Sequence, residues 1–308
     1  MSRNEKKLIG FIIGRERDLP EAIMAYVNSQ YDDVTAEMVK IGGTFLDDVV
    51  PYDVIIDRMS HEIPYYRTYV KYAALQGCDV INDPFVWSND SKFFAGALLR
   101  KLGLHTPKTM VLPNKEIAAE TIPDSYRNLI YPMDWQAIVD YIGSPAIFKD
   151  VRSGGRRFAH RVNSVEELIQ RYDESGTRTM ILQQVIESDQ QIHCLVLGRE
   201  KTMLMPYSRT NGCYLDGENG LDERLKERVI SAALTIADVY GYEINLSEFV
   251  VQDGEIYLIN GTNPSPVIDR ELVTTLQFDW IVKEIAELAV SRARNPVPLR
   301  LPIQLPQE

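Results

Sequence analysis

Pro145-Ala146-Ile147-Phe148-Lys149-Asp150-Val151-Arg152-Ser153-Gly154-Gly155-Arg156-Arg157-Phe158-Ala159-His160-Arg161-Val162 is an apolar strand carrying one lysine, then a turn at Ser153-Gly154-Gly155, then a second strand. Asn163-Ser164 opens a helix directly behind it. Two strands joined by a flexible, cation-rich turn can fold over a polyphosphate. Glycine permits positive φ and close backbone approach, the turn's N–H groups point at oxygens, and the lysine adds a point charge. An ordinary hairpin has the same local pattern, so its meaning depends on the rest of the chain.

The chain has 308 residues, long for one core and suited to two or three lobes. An apolar fraction of 45% and a charged fraction of 25% are those of a soluble globular protein. The net charge of −11, spread widely, argues against a nucleic-acid or anionic-membrane surface, while a local basic loop can still hold a small anion. Cys78, Cys194 and Cys213 are few and far apart, which fits a reducing compartment and excludes a cysteine-based zinc site. The polar opening Met1 to Lys7 and the short apolar run Leu8 to Ile13 read as neither signal peptide nor membrane span, so a cytoplasmic protein is expected.

In order, Leu8–Ile13 predicts a buried strand, Leu19–Val27 a helix with Pro20 in its first turn, and Val34–Ile41 and Asp53–Asp57 two more strands. A helix over Pro64–Gln76, stopped by Gly77, and a short strand at Asp79–Asn82 complete an open α/β layer. Gly10 and Gly14 make no dinucleotide fingerprint. Ser88, Asn89 or Asp90 can cap a helix that ends at Gly103, and Met110–Leu112 is a strand. Pro113–Tyr141 is mixed, with Trp135 and Tyr141 read as packing residues. Val165–Tyr172 is a helix and Met180–Ile186 a strand ending at Glu187. A hairpin, Ile192–Leu197 with Thr202–Tyr207, precedes an amphipathic helix over 222–240 closed by Gly241. A second hairpin, Leu246–Val251 with Glu255–Ile259, turns at Asp253-Gly254 and runs into Asn260-Gly261-Thr262-Asn263-Pro264-Ser265-Pro266. A last helix spans 279–294, before a proline-rich tail from Asn295 to Glu308.

Four motifs in this order resemble the ATP-grasp superfamily of carboxylate–amine and carboxylate–thiol ligases, which includes glutathione synthetase, D-alanine–D-alanine ligase and the ribosomal-protein glutamate ligases. Asn89-Asp90-Ser91-Lys92, with Leu102-Gly103 and Thr106-Pro107-Lys108-Thr109 downstream, looks like the lysine-bearing helix that enters the grasp. Phe148-Lys149 and Ser153-Gly154-Gly155 look like the second lysine and the phosphate loop. Leu182-Gln183-Gln184-Val185-Ile186-Glu187 looks like the hinge strand that holds adenine, and Glu248 with Asn260 to Asn263 like paired metal-ligand strand ends. Ile259 to Pro266 with Asp269 resembles, more closely, a bacterial branch carrying Asp-Phe-x-Asn-Pro-x-Pro-Asp there.

The resemblance implies an ATP-grasp fold: an N-terminal open α/β domain over 1–105, a small lobe with the phosphate loop over 106–183, a large lobe with the metal site over 184–294, and the tail over 295–308. It implies a ligase that uses ATP and Mg²⁺ (Mn²⁺ as the alternative) to join a small carboxylic acid, such as an amino acid or peptide, to an amine or thiol through an acyl phosphate. Lys92 and Lys149 would meet the α- and β-phosphates, and the backbone of Ser153, Gly154 and Gly155 the β/γ oxygens. Gln183, Gln184, Val185 and Ile186 would read adenine, and Glu187, with Asp189 behind it, the ribose. Glu248, Asn260 and Asn263 would hold metal, and Arg209, with Lys149, would be catalytic at the acyl phosphate. Partners would be small molecules, with no nucleic acid or membrane, and a homodimer is the default for a soluble enzyme.

The departures are as informative. Asn260 stands where relatives place an acid, Gln184 where glutamate is common, and His193 where many have arginine. A neutral Asn260 leaves Glu248 as the one carboxylate, unless Asp269 contributes, and so also fits a catalytically impaired protein that binds nucleotide as a sensor or partner subunit. Without the resemblance, Lys92 reads as a solvated lysine, Glu248 as an edge charge, Arg156 and Arg157 as solvent-facing, His193 as a core or pocket histidine, and Arg58 and His61 as helix-capping or substrate-touching. Hairpin geometry supplies a test. A two-residue Asp253-Gly254 turn pairs Glu248 with Ile259 and sends Asn260 to the opposite face; the metal pair needs a three-residue turn or a bulge.

Overall fold

The computed structural model describes residues 6–86, 92–116, 122, 127–151, 158–188, 190–217 and 221–297. Three sheets organise them. The first is parallel, with strands β1 (Lys7–Ile12), β2 (Val34–Met38), β3 (Val54–Asp57) and β4 (Asp79–Ile81) in the order β2-β1-β3-β4. Helix α1 (Asp18–Gln30) links β1 to β2, and α2 (Pro64–Leu75) links β3 to β4. Alternation sends Ile9, Phe11, Val54 and Ile56 into one core with α1, and Ile12 and Ile55 into another with Tyr69, Val70 and Ala73 of α2. Both faces are buried, as parallel sheets require.

Helix α3 (Lys92–Lys101) follows, and then the second sheet: β5 (Thr109–Leu112), β6 (Ala146–Asp150), β7 (Ala159–Val162) and β8 (Met180–Gln184), ordered β5-β8-β6-β7 and antiparallel throughout. Helices α4 (Trp135–Ile142) and α5 (Val165–Asp173) cover one face through Ile138, Ile142, Leu168 and Tyr172 on Phe148 and Leu182. Helix α4 is capped by Asp134, whose side chain accepts from the Ala137 N–H. It lies inside the stretch the sequence leaves mixed.

The third sheet contains β9 (Gln190–Leu197), β10 (Lys201–Ser208), β11 (Cys213–Tyr214), β12 (Ile244–Gln252) and β13 (Glu255–Asn260), ordered β11-β10-β9-β12-β13. Helix α6 (Glu223–Tyr240) packs one face, joined there by Ala95 and Leu99 of α3. The helix expected within the N-terminal domain therefore leans on the third sheet. Gly261 makes this approach feasible, since a Cβ there would lie 2.6 Å from Leu99 Cδ1. The last helix, α7 (Thr275–Arg294), begins one turn earlier than its apolar pattern suggests, because Thr274 and Gln277 form a capping box. It is shared: Phe278, Ile281, Ile285 and Ala289 pack against both the first sheet and Leu195, Leu197, Ile244 and Leu246 of the third. Among the described residues no helix is long and apolar enough to cross a membrane.

Polar side chains lock the first sheet to the third. Buried Asn82 donates from Nδ2 to the Ile244 carbonyl (2.9 Å), and its Oδ1 accepts from the Glu243 N–H (2.6 Å) and Ile244 N–H (2.9 Å). Arg58 is buried too, paired with Glu16 and donating to the Pro266 carbonyl (2.5 Å), while Ser265 Oγ donates to the Arg58 carbonyl (3.0 Å). It therefore acts as a strut, neither a helix cap nor an open substrate cation. Replacing Asn82 by alanine strands two buried N–H groups and a carbonyl. We expect Asn82→Ala to lower stability by about 2–4 kcal/mol in denaturant unfolding. A change under about 1 kcal/mol would show that these bonds do not hold the two sheets together.

Candidate active site

On β6 the period of two that sends Phe148 into the helix-covered core turns Lys149 to the opposite, open face of the second sheet. There Lys149 Nζ donates to Gln183 Oε1 (2.8 Å), and Gln183 Nε2 donates to Thr109 Oγ1 (3.3 Å). Burial pushes the Lys149 ammonium down to about 8; the charge of Lys92 pushes it the same way, and Glu248 opposes both. Three side chains from three elements therefore act on one space. Lys92 is brought there by the first residue of α3, whose N–H donates to the Val151 carbonyl (3.1 Å) beyond β6. Lys149 pairs with Ala159 across the neck of the β6–β7 loop. Ser153, Gly154, Gly155, Arg156 and Arg157 lie outside the described residues.

The hinge comes next. Strand β8 ends at Gln184, two residues short of the expected Ile186, so Val185, Ile186 and Glu187 form a connector between the second and third sheets. The Gln184 N–H donates to the Lys108 carbonyl (2.8 Å), and Gln184 Oε1 accepts from the Lys108 N–H (3.1 Å). This side chain thus extends the sheet, and half its hydrogen-bonding capacity is committed. The main chain of Val185 and Ile186 makes no hydrogen bond to another described residue, leaving a donor and acceptor edge beside Lys149 and Gln183. Glu187 is largely exposed and pairs with Arg161 at 3.0 Å, an exposed contact worth little. Asp189 lies outside the described residues.

On the third sheet, Glu248 and Asn260 face one another. The turn is the two-residue form, with Gln252 opposite Glu255 and positive φ at Asp253 (52°) and Gly254 (74°). By itself that register would separate the pair. A bulge between Glu248 and Phe249 restores it: Phe249 pairs with Leu258, and Glu248 pairs with Asn260. Asn260 Nδ2 donates to Glu248 Oε1 (2.9 Å). The loop beyond is shaped by Asn245, which donates to the Gly261 carbonyl (3.0 Å) and accepts the Asn263 N–H (2.9 Å), helped by Ser247 Oγ on the same carbonyl (2.9 Å). Asn263 is thus held by its backbone, one strand-end away from Glu248. Among the described residues no cluster of three or more acidic, cysteine or histidine side chains could hold a metal alone. One carboxylate with a neutral amide oxygen suits a hard cation that takes its remaining ligands from phosphate and water. The residues fit a divalent ion shared with a nucleotide and not a resident metal.

Beside Glu248, on β9, lies His193, buried and opposite it in register. Its Nε2 lies 2.8 Å from Gln191 Nε2 and 3.8 Å from Glu248 Oε2, and its Nδ1 lies 2.8 Å from Tyr214 Oη. The ring stacks on Tyr207 at 4.9 Å and meets Tyr214 edge-on at 5.3 Å. Burial holds the imidazole below its ordinary value, and Glu248 counteracts that only in part. Gln191, Tyr207 and Tyr214 were missed from the sequence. The available signal was polar Gln191 and His193 alternating on the face that carries Leu195 and Leu197 into the core. Arg209, just past β10, is exposed and makes no hydrogen bond or ion pair to a described residue. The structure brings together Lys92, Lys149, Gln183, Glu248 and Asn260, and does not join Arg209 to them.

A parallel α/β layer followed by two lobes built on antiparallel sheets is the architecture of the ATP-grasp fold. Comparison with solved structures agrees. The chain is similar to D-alanine–D-alanine ligase from Bacillus anthracis (16% identity, TM-score 0.65, covering 94% of this chain and 99% of that one). It is also similar to VanG D-Ala:D-Ser ligase from Enterococcus faecalis (15%, TM-score 0.67, 92% and 99%) and to a RimK domain ATP-grasp protein from Sphaerobacter thermophilus DSM 20745 (17%, TM-score 0.65, 92% and 99%). No protein-family model matches the sequence, and a search of curated proteins finds no match. The chain has the ATP-grasp fold.

Two outcomes follow from the site's electrostatics. A nucleotide's phosphates favour charged Lys149, so binding should draw a proton onto it wherever the free protein has lost one, that is, above about pH 8. In calorimetric titration, affinity for a non-hydrolysable ATP analogue should fall by up to about tenfold per pH unit between pH 8 and 10, and Lys149→Arg should flatten this decline. An affinity that stays level in the unaltered protein would contradict the placement. Asn260→Asp sets a second carboxylate against Glu248: Mn²⁺ affinity in the presence of nucleotide should rise about tenfold or more, while the metal-free protein melts lower. Unchanged metal affinity would mean that position 260 faces no ion.

Proposed function

We propose that this protein is an ATP- and divalent-metal-dependent ligase that activates a small carboxylate as an acyl phosphate and passes the acyl group to an amine. The observation that carries the reading is the electrostatic coupling of Lys149 on the second sheet to Lys92 at the start of α3 and to Glu248 on the third sheet. Solved proteins of the same fold include a D-alanine–D-alanine ligase complexed with ATP. In the proposed complex, adenine lies along the free main chain of Val185 and Ile186, and the ribose lies near Glu187. Lys149 and Lys92 take the α- and β-phosphate oxygens, and the backbone of Ser153, Gly154 and Gly155 would meet the β/γ oxygens.

Glu248, with the Asn260 and Asn263 side-chain oxygens, would hold Mg²⁺ or Mn²⁺, which when bound supplies charge neutralisation at the phosphates. A substrate carboxylate oxygen then forms a bond to the γ-phosphorus as the bond to the β-bridging oxygen breaks and ADP leaves. The lysines stabilise charge moving onto ADP. A neutral amine next attacks the acyl carbon, releasing phosphate, with Arg209 proposed to swing in over the acyl phosphate. Water must be kept out between the two steps. The carboxylate and amine are small molecules in this reading, the cytoplasm is the working compartment, and a homodimer the working form.

The test is release of ADP and phosphate with Mg²⁺ over a panel of amino acids and short peptides. We expect turnover that depends on both a carboxylate and an amine, and a loss of at least about a hundredfold in Lys149→Met and Glu248→Gln. Tight nucleotide binding with no turnover on any carboxylate would favour a second reading, a nucleotide-binding sensor or partner subunit without ligation. The single carboxylate left by Asn260 is the observation that supports it.

A further inference from the structure

The hydrogen bonds around His193 determine where its proton sits. Gln191 presents its amide NH₂, which can only donate, to Nε2 at 2.8 Å. With the Gln191 amide in this orientation Nε2 is the bare nitrogen and the ring proton is on Nδ1, which lies 2.8 Å from Tyr214 Oη. The imidazole donates and the phenol oxygen accepts. That leaves the Tyr214 O–H proton unspent, and it meets no other acceptor among the described residues. The ring has little freedom to turn away: it packs edge-on against His193 (5.3 Å) and Tyr207 (5.2 Å), and its backbone N–H is held by the Leu272 carbonyl (2.8 Å). Burial, then the Glu248 charge, then Tyr207 raise the Tyr214 pKa, so the hydroxyl keeps its proton throughout the physiological range. The Glu248 charge thus bears both on Lys149 of the second sheet and on Tyr214 of its own sheet, which His193, 3.8 Å from Glu248 and 2.8 Å from Tyr214 Oη, connects to it.

A carboxylate approaching a γ-phosphate held by the two lysines must arrive from the side they do not occupy. We propose that the Tyr214 hydroxyl donates a hydrogen bond to the substrate carboxylate as it is phosphorylated and to the acyl phosphate it becomes, with His193 as the positioning residue that orients the phenol. This assignment rests on the ligase reading. Tyr214 keeps its proton in both states. The carboxylate oxygen bonds to phosphorus, the bridging P–O bond breaks, and the donor remains on the acyl oxygen, where a fixed dipole favours the intermediate over water's reorganising ones.

The experiment uses the full chain with ADP, Mg²⁺ and acetyl phosphate as a small acyl phosphate, and an AMPPNP·Mg²⁺ titration as the control. Tyr214→Phe should bind AMPPNP within about twofold of the unaltered protein while losing about tenfold or more in affinity for acetyl phosphate. His193→Phe, which keeps the stack on Tyr207 but removes the Nδ1–H, should lose acetyl phosphate affinity in the same direction and by less. It decides the matter if Tyr214→Phe does not fold. A merely structural tyrosine would move both ligands together, and that result overturns the assignment. So does equal acetyl phosphate affinity in all three proteins, or AMPPNP binding by the unaltered protein with none for acetyl phosphate. If the unaltered protein binds neither ligand, the nucleotide reading itself fails, and the two failures are told apart by the AMPPNP arm.

Discussion

The charge of Lys92 bears on Lys149, a buried ammonium on the second sheet, and that repulsion is the constraint on which the rest of the site turns. Burial and the Lys92 charge both disfavour a protonated Lys149; one neutral amide, Gln183, and one more distant carboxylate, Glu248, oppose them. In a dielectric well below that of water such an arrangement is costly unless an anion of high charge relieves it. A salt bridge at Lys149 would have satisfied the lysine and closed the site. The amide instead orients Nζ without neutralising it. The first residue of α3 is tied by its backbone to Val151, which fixes the main chain from which the Lys92 side chain projects.

Holding that geometry requires the first and third sheets to behave as one piece, and the joints are polar where a larger core might have been expected. Asn82 acts as a splint between the end of β4 and the start of β12, accepting the N–H groups of Glu243 and Ile244 and donating to the Ile244 carbonyl. Arg58 clamps the loop after β13 from the other side. Its charge is matched by Glu16, and Nη2 also donates to the Pro266 carbonyl, so the buried guanidinium is paired. The loop carrying Asn260 and Asn263 is thereby held from both ends, by Arg58 and by the Asn245–Ser247 pair. In the proposed function this strand end would share a cation with Glu248, and an oxygen displaced by an ångström would no longer do so.

Much of this was legible in the sequence where a short-range rule decided it. Alternation alone sends Lys149 away from Phe148, and Asp253-Gly254 announces its own turn. The four-stranded parallel layer follows from apolar runs separated by helices. What escaped was set by distant partners or by segments too short to show a period. Helix α4 is eight residues long, with Ile138 and Ile142 as its buried positions, and its proline-, aspartate- and asparagine-rich approach masks the cap at Asp134. Strand β11 has two residues, so Tyr214 carried no pattern at all. Arg58 reads as a substrate or capping residue until Glu16, forty-two positions earlier, is seen beside it.

The bulge at Glu248 shows how such local and distant demands are reconciled. A type I′ turn fixes one parity for the whole hairpin, and that parity places Glu248 and Asn260 on opposite faces. Further along, β13 is held in its own register by the backbone bond from Leu258 to His105, and Gly261 must sit under Leu99 for α3 to dock. These constraints cannot all be met by a regular ladder. One extra residue, Ile259, absorbs the mismatch at the point where the strand passes from core to cleft. The turn chemistry and the helix docking are each kept, and the irregularity falls where a carboxylate has to be re-aimed, which is where bulges serve function in sheets generally.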